Sequence, residues 1–210
     1  EGRALARAIV SQLVVLHAPE EVLLAAAIGP AERDEWRGID LLPHLRTPGV
    51  WDGPLPARSV APDPTALAGL LSAELENRAA RARRGRDRAV RPETPLIVLC
   101  DFVEGPAKPL PAPDGVSAAE CGISSIVLVA DRLQEPEQTT TRITIDAQSG
   151  ETRIEHLGAE PGAHPASTGV RHDAVAVELF EQICHDLAPL RLSTEARVQA
   201  TADAEVGALD

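Results

Sequence analysis

Asp101 closes the run Leu96-Ile97-Val98-Leu99-Cys100, which is entered through Pro95. Five consecutive apolar residues are too few for a helix and suit a strand buried on both faces. A parallel strand ending in Asp delivers that carboxylate to the carboxyl edge of its sheet, where α/β proteins place ligands. There a carboxylate can hold a hydrated Mg²⁺ beside a nucleotide phosphate. Glu104 follows three residues on and could orient an attacking water. The alternative for Asp101 is a strand-end carboxylate that caps the next turn or pairs with an arginine, and the sequence favours it. Nucleotide chemistry of this kind needs a Gly-rich loop followed by Lys and Ser/Thr. The chain contains no G-x-x-x-x-G-K-[ST]. The only lysine, Lys108, lies in a Pro-rich stretch, and Arg3 and Ala4 stand where Lys and Ser/Thr would be expected. Phe102 follows Asp101 where a second acid would polarise water. Together these predict no catalytic, cofactor-binding or metal-ligating residue, with Asp101 a relic and Glu104 a weak companion.

Other reactive side chains are scattered. The histidines offer no zinc-site spacing, although Cys184 and His185 adjoin, and no G-x-S-x-G is present. His17 and His44 are expected to bond backbone groups at turns, and Ser124 and Ser125 to be core hydroxyls. Cys100, Cys121 and Cys184 are odd in number and far apart, which suits reduced core thiols. Seven arginines lie between Arg78 and Arg91. They read first as a solvated helix end and second as a basic tip for an acidic partner, with Arg81, Arg83, Arg84 and Arg86 the contact residues. Trp36 and Trp51 are either partner anchors or core plugs in a chain that is only 2% aromatic.

The elements that would carry these residues follow from periodicity. Leu5, Ala8, Ile9, Gln12, Leu13 and Leu16 predict a helix over 4–16, stopped at Ala18-Pro19. Val22 to Ile28 predicts a buried strand. Residues 30–63 read as irregular, with a short strand around 57–60. Asp63 and Pro64 start a helix that runs through Leu67, Leu71 and Leu75 into the arginines. After the 96–101 strand come a Pro-rich loop, a helical turn at 116–120 and a third buried strand over 123–130. Segments 142–146 and 152–155 flank Gln148-Ser149-Gly150 and predict a hairpin at a sheet edge. Residues 158–171 read as a loop, and Asp173 as the cap of a helix that Pro189 ends. The sequence predicts an α/β domain over 1–190, a three-layer, mostly parallel sheet of P-loop NTPase type with an edge hairpin, and a linker over 191–210 toward a further domain. The net charge of −12 excludes general nucleic-acid binding, and no run of 18 apolar residues is present to insert into a membrane.

Several segments in one order resemble FtsK/SpoIIIE-type motor ATPase domains: His17-Ala18-Pro19-Glu20-Glu21-Val22, Leu42-Pro43-His44-Leu45, the helix from Leu70 to Arg78, and the strands 96–101 and 123–130. Ala6 to Val22, Leu42-Pro43-His44 and Leu187-Ala188-Pro189-Leu190-Arg191-Leu192 resemble the EccC-type ATPases of actinobacterial type VII secretion systems. The resemblance covers nearly the whole chain. It implies the degenerate ATPase-like domain that precedes the first ATPase module of such a motor. It also implies a parent protein that uses ATP and Mg²⁺ and is anchored in the cell membrane, with this domain on the cytoplasmic side. The implied partners are the neighbouring ATPase modules, the membrane stalk and other secretion-complex components, and the implied role is coupling stalk to modules during protein export. The alternative it leaves open is an active P-loop ATPase whose phosphate loop lies outside this stretch.

Overall fold

The structure is a computed structural model that describes residues 1–85, 94–101, 110, 115–146, 148–157 and 167–190. Helix α1 (Gly2–Leu16) leads into strand β1 (Leu23–Ile28). Three short 3-10 turns over 30–45 follow, and then strands β2 (Arg46–Asp52), β3 (Leu55–Arg58) and β4 (Val60–Ala61). Helices α2 (Pro64–Leu70) and α3 (Ser72–Gly85) are nearly continuous and broken at Leu71. Strands β5 (Leu96–Asp101) and β6 (Ile123–Leu128) complete a four-stranded parallel sheet of order β4-β1-β5-β6. Strands β7 (Thr141–Ile145), β8 (Thr152–His156) and β9 (Ser167–Val170) form an antiparallel sheet, and α4 (Val177–Leu187) ends the described chain.

Alternation along the strands sorts the core into two layers. Leu24, Ala26 and Ile28 of β1 and Leu99 of β5 face α1, α4 and the 3-10 turns, where Val10, Val14, Trp36 and Phe180 pack. Ala25, Ala27, Val98 and Cys100 face α2 and α3, where Leu67, Leu71, Leu75 and Ala79 pack. Asp101 has the parity of Leu99, so its side chain points to the α1 layer. This is the three-layer α/β architecture expected from the sequence.

Local departures have physical causes. The helical stripe read from Leu5, Ala8, Ile9 and Gln12 does not face the parallel sheet. These four residues line a cleft of about 190 Å³ against the β7–β9 sheet, while Ala6, Val10 and Val14 form the deeply buried stripe. The predicted hairpin forms, with Ile143 opposite Ile154, but it belongs to its own sheet, because β9 pairs with β8 inside a stretch read as loop. Among the described strands β6 lies at the edge of the sheet, and Ser124 and Ser125 are exposed and not core hydroxyls. The irregular 30–63 region contains the β2–β3 hairpin, turning at Gly53-Pro54 with Gly53 at φ +60°. Asp173 does not cap α4, which starts at Val177 after Ala176. The chain ahead of it is held extended because the Val175 amide donates to Ala4 O and Val175 O accepts from Arg7. Glu104, Lys108, Arg86, most of the Pro-rich loop and the 191–210 linker lie outside the described residues.

Candidate functional site

α1 and β5 bring Arg3 and Asp101 together at the carboxyl edge of the parallel sheet. Arg3 Nε donates to Asp101 Oδ2 at 2.7 Å and Nη2 to Oδ1 at 3.2 Å, a fork on both carboxylate oxygens. Trp36 Nε1 donates to the same Oδ2 at 2.8 Å. The Asp101 backbone carbonyl accepts from Gly29 N at 2.9 Å, which fixes the chain leaving β1. The Asp101 side chain is 2% exposed and that of Arg3 36%. Glu32 Oε1 lies 3.6 Å from Arg3 Nη2.

The electrostatics explain why Arg3 stays. A cation in the first turn of a helix sits at the positive end of the helix dipole and is disfavoured there. The bond to Asp101 offsets this and raises the Arg3 guanidinium further above its ordinary value, against the cost of partial burial. Arg7, one turn on, is 7% exposed and reaches Glu35 Oε2 and Glu35 O, each at 3.0 Å. Two arginines therefore bolt the first half of α1 to β5, to the first 3-10 turn and to the segment before α4.

The same geometry decides which expected residues belong to a site. Asp101 pairs with an arginine, as the second reading of the sequence had it. Trp36 is a core plug and not a partner anchor: it is 1% exposed and meets Phe180 edge to face at 5.6 Å. Such a pair adds roughly 1 kcal/mol beyond burial. Trp51 is 62% exposed near the tip of the β2–β3 hairpin, beside an open groove lined by Val50, Leu55, Pro56 and Leu70. Arg81, Arg83 and Arg84 are exposed on the last turn of α3. Arg78, four residues after Glu74 on the same helix, is 1% exposed and is a structural staple. His44 does bond backbone, at His17 O, whereas the His17 ring lies 3.8 Å from Glu21. The three cysteines are free and buried, with Cys100 pushed up to about 11 and Cys184 to about 12 by burial.

The described residues do not fit a magnesium nucleotide. A hydrated cation at Asp101 would have to displace a bidentate guanidinium and an indole N–H from two oxygens that face the core. What the sequence could not supply was Trp36, whose bond to Asp101 spans 65 residues. Arg3 was read as standing where a lysine would be expected, and its partner Asp101 was not visible in the sequence.

No protein-family model matches the chain. Among curated proteins it is similar to the ESX-3 secretion system protein EccC3 of Mycobacterium tuberculosis, in strains CDC 1551 and H37Rv. The identity is 29% over 141 residues, which covers 67% of this chain and 10% of the relative. It is also similar to the ESX-4 secretion system protein EccC4 of strain H37Rv, 29% identical over 154 residues, covering 67% of this chain and 12% of the relative. The chain thus spans about a tenth of the length of the curated relatives it matches. The resemblance to EccC-type proteins holds in these alignments, at a distance and over two thirds of the chain, not nearly the whole of it. Among the described residues, no helix is long and apolar enough to cross a membrane.

Proposed function

We propose that this chain is a non-catalytic, ATPase-like domain of an EccC-like type VII secretion motor, and that it couples a membrane-anchored stalk to downstream ATPase modules on the cytoplasmic side of the membrane. The observation that carries the reading is the Arg3–Asp101 pair. A cation belonging to the chain itself occupies the strand-end carboxylate that a motor of this fold would offer to magnesium, and Arg3-Ala4 stands in for Lys and Ser/Thr. Without those groups neither phosphate nor metal has a preformed seat, so the domain needs no nucleotide to complete its fold. ATP and Mg²⁺ then serve the parent protein elsewhere. Coupling requires surfaces, and two are available: the exposed arginines Arg81, Arg83 and Arg84 at the end of α3, and Trp51 on the β2–β3 hairpin. A rigid aromatic and an arginine cluster are the residue types that anchor protein contacts.

Calorimetry with Mg-ATP tests this on a chain extended upstream by about forty residues, enough for a preceding strand and its loop. The expected result is no binding by a folded, monodisperse sample. Micromolar binding that disappears in Asp101→Ala would overturn the reading in favour of an active P-loop ATPase, with Glu104 the residue to test next.

A further inference from the structure

His44 is fully buried in the 3-10 turn Pro43–Leu45, between Leu42 and Leu45, both of which belong to the core of the α1 layer. Its Nε2 lies 2.9 Å from His17 O. A carbonyl only accepts, so Nε2 carries the proton and Nδ1 is bare. That Nδ1 is buried and has no hydrogen-bond partner among the described residues. His17 is the residue at which α1 ends, and its own N–H donates to Leu13 O. The same turn holds the base of the β2–β3 hairpin: Ser59 N donates to Leu45 O at 2.7 Å and Arg58 Nη1 to Leu42 O at 3.2 Å. Ser59 O in turn accepts from Ala26 N of β1 at 2.8 Å. One imidazole therefore joins the end of α1 to the turn on which the hairpin stands.

We propose that His44 is an acid-operated latch: the neutral ring ties the end of α1 to the hairpin base, and protonating it frees both. A second N–H would point into a core that offers it no acceptor, and a buried donor or charge without a partner is costly. The ring therefore takes a proton only by leaving its seat, which breaks the bond to His17. The charged groups around it do not repair the cost. From the segment after α1, Glu20 favours the cation and His17 opposes it, while Glu21 already engages His17. From the hairpin, Arg58 and Arg46 are themselves cationic. β1, which packs against the turn, contributes apolar Leu24 and Ala26 to the core that holds Leu42 and Leu45. Burial dominates and holds the His44 proton affinity below the ordinary histidine range.

The test is amide hydrogen exchange of the whole chain near pH 7.5 and near pH 5, corrected for intrinsic rates, with near-UV circular dichroism confirming that the core stays packed. The expected result is about a tenfold loss of protection at the lower pH, confined to the end of α1 and to residues around 42–60. His44→Gln, whose amide can donate to the same carbonyl but does not titrate, is expected to abolish that change. Protection equal at the two pH values, or an equal loss in wild type and His44→Gln, would overturn the proposal. Nitrogen-15 ring spectra of the wild type give a second readout that needs no variant. A bare Nδ1 that titrates together with the His17 amide supports the latch, and a ring titrating in the ordinary range with no change at His17 sinks it.

Discussion

Each edge of the parallel sheet holds an arginine, and the two are answered differently. At the amino edge, Arg78 donates to Thr94 O at 2.9 Å, to Cys121 O at 3.1 Å and to Glu74 at 2.8 Å. Thr94 and Cys121 lie just ahead of β5 and β6, so the guanidinium ties the entries of two strands to α3. At the carboxyl edge, Arg3 meets a single strand-end carboxylate in a fork, with Trp36 closing the far side. The amino-edge cation takes the place of backbone pairing that irregular chain cannot provide. The carboxyl-edge cation engages a side-chain carboxylate instead of backbone carbonyls. Among the described residues, Asp101 at the edge where α/β proteins commonly place ligands is engaged by Arg3 and Trp36.

The largest effect is expected from Arg78→Ala, about 3–5 kcal/mol lost in urea unfolding, because two carbonyls and a largely buried Glu74 lose their partner at once. Arg78→Lys recovers little of it, since one ammonium cannot span three acceptors held by a planar fork. The carboxyl edge should instead respond asymmetrically. Arg3→Ala leaves the Asp101 carboxylate buried, with the indole its only remaining side-chain donor among the described residues, at a cost of about 3 kcal/mol. Asp101→Ala costs about 1–2 kcal/mol, because an arginine more than a third exposed can turn to water and, among the described residues, Trp36 Nε1 alone is stranded. Equal losses would break the comparison, since they would mean that the carboxylate is not the deeper partner.

The thiols on the two faces sharpen it further. Cys100 sits in the core layer of α2 and α3, and Cys184 in the core layer that holds α1. Burial raises both folded values above the ordinary thiol. The unfolded thiols therefore ionise first as pH rises. The stability these groups contribute is complete below about pH 9 and falls through pH 11, by roughly 2 kcal/mol for Cys100. Cys100→Ala should flatten that alkaline limb in unfolding curves recorded from pH 8 to pH 11, and an unchanged limb would mean that the thiol is not sealed. The smallest effect is expected at Trp51, where alanine should change stability by less than about 0.5 kcal/mol because the ring is mostly in water.

The sequence showed most clearly what depends on neighbours along the chain. The apolar runs of β1 and β5 identified the two central strands because both faces of each are covered. Asp63 read as a cap, and it accepts from Thr65 N and Ala66 N at 2.8 Å. What it hid depends on distant partners. β6 carries an apolar run like the other two, yet it lies at the edge, and only strand order says so. Arg78 sits in a run of arginines whose other described members are exposed, and nothing local except Glu74 four residues earlier distinguished it. Trp36 and Trp51 were equivalent as letters, and Trp36 was drawn into the core by Phe180 and Asp101, 144 and 65 residues away from it. At the site itself the absence of a G-x-x-x-x-G-K-[ST] from the sequence was plain, while the pairing of Asp101 with Arg3 needed the helix and the strand placed together.

The most direct test of that pairing is a double-mutant cycle between Arg3 and Asp101, followed by denaturant unfolding with and without Mg-ATP. The expected coupling is about 2 kcal/mol and is the same in both conditions. A coupling near zero, or a stabilisation by Mg-ATP that vanishes in Asp101→Ala, would contradict it.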